Sequence, residues 1–136
     1  MQDLHNNVQV ALGLSVQDIT TDTTTSGEII DTAGFEGLEF GIMSGTITDG
    51  TYTCAVWESA DSGMSGATVV TAAETLGGAA YAAADDDEVR RIGSVGKLRY
   101  QQLRVVSAST SSGGTNFVAL AFQGKQHHKP VAAQSA

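Results

Sequence analysis

The chain has 136 residues and a net charge of −8, a length that suits one domain with a single buried core. Phosphate binding depends on Lys and Arg, so this charge argues against DNA, RNA and anionic membranes as partners. Gly, Thr and Ser are abundant and there is one Pro, a composition typical of short strands and tight turns. We therefore expect one all-β domain.

The first predicted strand begins after residue 7. Its apolar residues recur at every second position, which indicates one buried face; they are Val8, Val10, Leu12 and Leu14. The Thr-rich run at residues 20–26 is too polar and β-branched for a helix and leads to a short second strand at residues 27–31.

A third strand starts at Leu38 and runs towards Thr48, where Asp49-Gly50 is a strong hairpin signal. We therefore expect this strand to pair with the next one, at residues 52–59. Turn residues then precede a short edge strand around Val69-Val70. Residues 72–84 are mostly small, contain Gly77-Gly78, and are predicted to form a loop with at most a helical turn at its start.

Strands at residues 88–93, 101–107 and 115–123 bring the total to about eight. This number and spacing predict a single antiparallel β-sandwich or a jelly-roll-like barrel. The domain is expected to span residues 8–124, between an N-terminal arm at 1–7 and a C-terminal tail at 125–136.

The last predicted strand is apolar on both faces. Phe117 and Ala119 point one way, while Val118, Leu120 and Phe122 point the other. Two interpretations are open. The strand is central and covered on both sides within its own domain, or one of its faces meets another subunit.

Charge is unevenly distributed along the sequence. All fifteen acidic residues precede Arg90, and all seven basic residues fall between Arg90 and Lys129. Opposite charges either meet within one subunit or form complementary surfaces between subunits.

The sequence carries no catalytic signature, and we expect a protein that is not an enzyme and has no cofactor. His5, His127 and His128 lie near the termini, where a catalytic base is hard to hold in place. Cys54, the only cysteine, lies in an apolar run and is expected to be a buried, inert thiol.

The acidic run at residues 85–88 offers oxygen ligands for Ca²⁺ but lacks the spacing of a calcium loop. A solvated acidic turn is the favoured interpretation. The adjacent imidazoles of His127 and His128 rarely converge on one ion without further ligands, so tail packing or exposure is preferred there.

Several segments together resemble small virion structural proteins of tailed bacteriophages: GFEGLEF at residues 34–40, WESADSG at 57–63, RRIG at 90–93, RYQQLRV at 99–105 and GKQHHKPV at 124–131. The resemblance spans nearly the whole chain and is to proteins encoded near the major capsid gene. Such proteins serve as head decoration (cement) or head-spike-base subunits.

The resemblance implies a protein that binds the outer surface of an expanded capsid, as trimers or dimers, and bridges capsomers. Its partners would be the major capsid protein and further copies of itself, assembled in the host cytoplasm and located on the virion. The candidate contact residues lie in the two terminal segments and on one face of the last strand: Leu4, His5, Asn6, Asn7, Val118, Leu120, Phe122, His127, His128, Lys129, Pro130 and Val131.

Two alternatives belong to other functional classes. A tail or head-to-tail connector component would use a similar fold to build rings or tubes. A carbohydrate-binding sandwich would display exposed aromatic rings, whereas the single Trp57 lies within an apolar strand. The N-terminus has neither a basic leader nor an apolar core segment, so we expect synthesis in the cytoplasm without membrane insertion.

Overall fold

The computed structural model describes residues 3–127. Ten strands within these residues form two antiparallel sheets around one core, which confirms the predicted all-β sandwich. A single 3₁₀ turn at Ala72–Glu74 precedes the sixth strand. The strands are β1 (Gln9–Ile19), β2 (Thr24–Asp31), β3 (Phe35–Ser44), β4 (Thr51–Ser59), β5 (Thr68–Val69), β6 (Thr75–Gly77), β7 (Ala79–Ala82), β8 (Val89–Ser94), β9 (Tyr100–Ala108) and β10 (Thr115–Gln126).

The first sheet has the order β1-β10-β3-β8-β6, and the second has the order β2-β9-β4-β5 with β7 also paired to β4. Aromatic rings from both sheets meet in the core. The Phe117 ring on β10 lies 5.0 Å from the Tyr52 ring and 5.1 Å from the Tyr81 ring, measured between centroids. Since all three side chains are almost wholly buried, this cluster links the two layers.

Strand β1 departs from the predicted alternation at Gly13. The pairing of β1 with β10 shifts between Leu12 and Leu14, which is a β-bulge. Leu14 therefore points into the core and is 1% exposed, whereas Leu12 points outward and is 46% exposed. The prediction of one buried face from Val8 to Leu14 is wrong because the bulge reverses the side on which the apolar residues lie.

The Asp49-Gly50 hairpin prediction is also wrong, because β3 and β4 belong to different sheets. The segment between them crosses from one layer to the other. The Asp49 carboxylate accepts hydrogen bonds from the main-chain amides of Ser111 and Ser112, at 2.7 Å each, and of Gly114 at 3.0 Å. These bonds hold the pKa of Asp49 well below its usual value and tie the crossover to the β9–β10 loop.

Residues 72–84 form more structure than the predicted loop. The chain leaves β5 in the second sheet, pairs as β6 with β8 in the first, and returns as β7 to β4. Small residues obscured this pattern, because in β7 only Tyr81 is bulky while Ala79 also faces the core. Strand β2 likewise begins earlier than predicted, at Thr24, because the threonines pair with β9.

The two halves of the charge distribution meet within one subunit, as the first of the two interpretations predicted. Basic residues from Arg90 onward pair with acidic residues that precede them in the chain. The pairs are Arg90–Asp85 at 2.8 Å, Arg91–Glu39 at 3.5 Å, Lys97–Glu74 at 2.5 Å and Arg99–Asp31 at 2.8 Å.

Candidate assembly interface

The outer face of the first sheet carries apolar side chains instead of the usual polar ones. Along β10, Phe117, Ala119 and Ala121 are buried, and the residues between them point away from the core. Leu120 is 43% exposed and Phe122 is 37% exposed. The prediction that β10 has two apolar faces is confirmed. The interpretation that both faces are covered within the domain does not hold in the described residues, since the outer one is open.

Neighbouring strands extend this apolar surface across the sheet. Phe122 lies opposite Val10 of β1, and Leu120 lies opposite Leu12. On the other side of β10, Val118 lies opposite Met43 of β3, which in turn pairs with Val89 of β8. We call this surface the outer apolar face. Its members are Val10, Leu12, Met43, Leu76, Val89, Val118, Leu120 and Phe122.

Gly41 of β3 and Gly93 of β8 lie on this face, and each adjoins a depression in it. Gly41 lies opposite Leu120, and the Phe122 ring packs so closely over it that a Cβ there would lie 3.0 Å from the ring. The depression beside the ring has a volume of about 340 Å³, and its lining includes Met43 and Val89. A second depression of about 350 Å³ lies over Gly93, between Phe122 and Leu76. Both depressions are lined in part by residues of the outer apolar face.

Two opposite charges lie in the middle of the outer apolar face. Glu39 of β3 is flanked by Phe122 and Gly93, and Arg91 of β8 pairs with Gly41. The Arg91 Nε lies 3.5 Å from the Glu39 Oε1, and the Arg91 side chain is largely exposed. The outer apolar face therefore has an ion pair near its centre, with apolar side chains around it.

The outer side of the second sheet is different in character. Its outward positions on β2 and β4 include the hydroxyl residues Thr24, Ser26, Thr51 and Thr53, and its exposed apolar residues are Ile29, Val69 and Val106. Trp57 is covered by Arg104, whose guanidinium carbon lies 4.4 Å from the ring centroid. The tryptophan is thus held under a cation on the sheet, whereas a sugar-binding platform needs an open ring face.

The candidate contact residues near the N-terminus form a turn. The main-chain amides of Asn7 and Val8 both donate to the carbonyl of Leu4, and His5 is exposed within this turn. The Gln126 side-chain amide donates to the carbonyl of Asn6 at 3.0 Å. The turn is therefore fastened to the end of β10.

The C-terminal candidates are described only as far as His127. Its main-chain amide donates to the carbonyl of Gly34, and its Nε2 lies 3.3 Å from the Glu36 Oε1. His128, Lys129, Pro130 and Val131 lie outside the described residues. The Val8 and Lys125 side chains line the same depression as Phe122, so the two chain ends adjoin the outer apolar face.

Five members of this face were not among the predicted contacts, namely Val10, Leu12, Met43, Leu76 and Val89. Leu12 could have been found from Gly13, because a glycine inside a strand indicates a bulge. Met43 and Val89 follow from the alternation of β3 and β8, but only once their pairing with β10 is known.

The cysteine and the acidic side chains of the 85–88 run are either buried or bonded within the fold. Burial raises the pKa of the Cys54 thiol to about 12, so almost no thiolate forms at neutral pH. Asp85 accepts the Ala82 amide and pairs with Arg90, while Asp86 accepts the Ile47 amide. Among residues 3–127, no three His, Cys, Asp or Glu side chains are placed to hold a metal ion. The same part of the chain contains no helix long and apolar enough to cross a membrane.

No protein-family model and no curated protein matches this chain. A solved structure of infectious bursal disease virus, strain Gx, is similar over 90% of this chain and 34% of that one, with 11% sequence identity and a TM-score of 0.48. This chain thus spans about a third of the length of that viral chain.

Proposed function

We propose that this protein is a non-enzymatic virion structural subunit that binds the outer surface of a phage capsid and bridges capsomers, as decoration or cement proteins do. The observation that supports this function is the outer apolar face, left open on one sheet of an otherwise well-packed sandwich. Contiguous apolar surface of this kind is unfavourable in water, and it marks sites where proteins associate.

The position of the chain ends supports the same function. The N-terminal turn and His127 are both held at one end of the first sheet, through Gln126 at the end of β10 and Gly34 before β3. Both ends of the described chain therefore adjoin the outer apolar face. A subunit that contacts a shell through several such elements gains affinity from their number, even when each contact is weak.

The proposal is tested by mixing the purified protein with expanded shells that lack it and pelleting the shells. We expect co-sedimentation that saturates at a fixed ratio of subunit to capsid protein. Protein that stays in the supernatant at every concentration would contradict the proposal. Protein that ignores shells and instead forms rings or tubes would replace it with a connector or tail function.

A matched pair of variants connects binding to the outer apolar face. Leu120 on the first sheet and Val106 on the second are both 43% exposed on strands. Leu120→Asp places a charge in the outer apolar face and should lower shell occupancy severalfold, because the charge opposes burial of this face in the assembly. Val106→Asp adds the same charge elsewhere and should leave occupancy near the wild-type level. Equal shell occupancy for both variants would show that the outer apolar face does not contribute to shell binding.

A further inference from the structure

We propose that the outer apolar face is covered by the same face of a second copy of this chain, related by a twofold axis. This inference rests on the proposed function in so far as it places the face inside an assembly. It identifies the occupant as the chain itself, and the capsid contacts then fall to the chain ends that adjoin the face.

The central charges make the face complementary to itself. The chain carries a net charge of −8, so a second copy is repelled by most of its surface. In the outer apolar face, however, Glu39 and Arg91 are diagonal neighbours on adjacent strands and form an ion pair. An isologous contact requires that each residue on one copy finds its complement on the other, and a neighbouring pair of opposite charges meets this requirement.

A specific arrangement follows from the strand order. A twofold axis parallel to the strands, lying between the two apposed faces and above the gap between β3 and β8, places β3 of each copy over β8 of the other. Glu39 then lies against the partner subunit's Arg91, and Arg91 lies against the partner subunit's Glu39. The β10 side of one copy, with Phe122 and Leu120, covers the β6 side of the other. Apolar surface thus surrounds a central cluster of four alternating charges.

The apolar side chains on the outer side of the second sheet are less contiguous. Val106 lies between Thr24 and Thr53. Ile29 and Val69 are 40% and 50% exposed, and they are separated by Gln102 and by Trp57, which lies under Arg104. A second copy therefore gains most by docking on the first sheet, where apolar area is removed from water.

The test measures the mass of the free protein by light scattering across a range of concentrations, without shells. The wild type should reach twice the subunit mass of 14.0 kDa. Glu39→Arg alone, or Arg91→Glu alone, creates clusters of like charge and should weaken the dimer by at least about tenfold. The double variant Glu39→Arg/Arg91→Glu restores alternating charges and should recover most of the wild-type affinity.

A control separates this pairing from net charge. Glu28→Arg makes the same change of charge on exposed β2 of the second sheet and should leave the mass unchanged. Circular dichroism should show the same fold for all variants, because the three sites lie on the surface. A wild type that stays monomeric, single variants that dimerise normally, or a double variant that does not recover would each overturn the inference.

The experiments distinguish failure of the twofold dimer from failure of the proposed decoration function. A monomer that saturates expanded shells would overturn the twofold dimer and leave decoration intact. A dimer with the expected response to the charge exchange that ignores shells would support the dimer and contradict decoration.

Discussion

The hydroxyl of Tyr81 donates a hydrogen bond to the main-chain carbonyl of Ile42 at 2.9 Å, so that β7 in one sheet is joined to β3 in the other. Both residues are buried, and the Tyr81 ring also contacts Phe117 edge to face. Burial raises the pKa of Tyr81 to about 12, which keeps the phenol protonated and able to donate at neutral pH. This hydrogen bond fixes β7 against the first sheet, just after the segment at residues 72–78 that crosses between the sheets.

Tyr81→Phe should lower the free energy of unfolding by about 1–3 kcal/mol, because it removes a buried donor and weakens the bonding of the Ile42 carbonyl. Urea unfolding of the variant and the wild type, followed by circular dichroism, measures the difference. Equal midpoints would mean that the bond between the sheets contributes nothing to stability.

Two phenylalanines on opposite sides of β10 should behave in opposite ways. Phe117→Ala leaves a cavity at the aromatic cluster and should cost about 3–5 kcal/mol of stability. Phe122→Ala removes a partly exposed ring and should cost about 1 kcal/mol, while weakening dimerisation and shell binding. The measurements are urea unfolding at low protein concentration and light scattering. A Phe122 variant that is severely unstable but associates normally would show that the ring serves the fold.

Acid should weaken the β2–β9 edge through Asp31. Arg99 binds this carboxylate through two hydrogen bonds of 2.8 Å and, with the Ala33 amide, lowers the pKa of Asp31 to about 2. Because the folded pKa is depressed, the stabilisation is present above the usual value of 3.8 and is lost as the pH falls towards 2. Both side chains are about half exposed, so solvent screening limits the effect to about 1 kcal/mol or less.

The variant Asp31→Asn provides the comparison. Its stability should fall less steeply between pH 4 and pH 2 than that of the wild type, when thermal midpoints are measured at each pH. Identical slopes would show that other carboxylates, such as Asp49, account for the acid sensitivity.

Cys54 should resist thiol reagents in the folded protein. The thiol is buried, and its pKa of about 12 leaves little thiolate to react at pH 8. We expect negligible reaction with a disulfide reagent in the native state and one equivalent after denaturation, followed by absorbance. Rapid reaction without denaturant would show that the second sheet opens around β4 on the timescale of the assay.

Removal of either terminal segment should affect docking more than folding. Deletion of residues 1–7 or of residues 127–136 removes the elements proposed to contact the capsid, and we expect the β-domain to keep its cooperative unfolding while shell occupancy falls. Thermal unfolding and co-sedimentation measure the two properties separately. Unchanged occupancy for both truncations would contradict a role for the chain ends.

The sequence predicts the fold class well because the longer strands alternate clearly around residues such as Phe40, Val56 and Leu103. Prediction from the sequence fails where the same local pattern is compatible with two different structures. Asp49-Gly50 has hairpin composition, yet the Asp49 carboxylate binds amides of a loop more than sixty residues away, which no local signal reveals.

The outer apolar face could be predicted only in part, for a related reason. The two-faced pattern of Val118, Leu120 and Phe122 was visible in the sequence, but their neighbours Leu12 and Met43 join them only through strand pairing. Sheet order depends on contacts distant in sequence, and the bulge at Gly13 changes which side of β1 is apolar. The full set of residues on the outer apolar face can therefore be identified only once the strand pairing is known.

The most direct test of decoration is an electron cryo-microscopy reconstruction of expanded shells after incubation with saturating protein. We expect added density on the outer surface at regular sites between capsomers, in twofold pairs joined through the first sheet, with the chain ends towards the shell. A shell surface identical to that of untreated particles, with this protein unbound in the same sample, would contradict it.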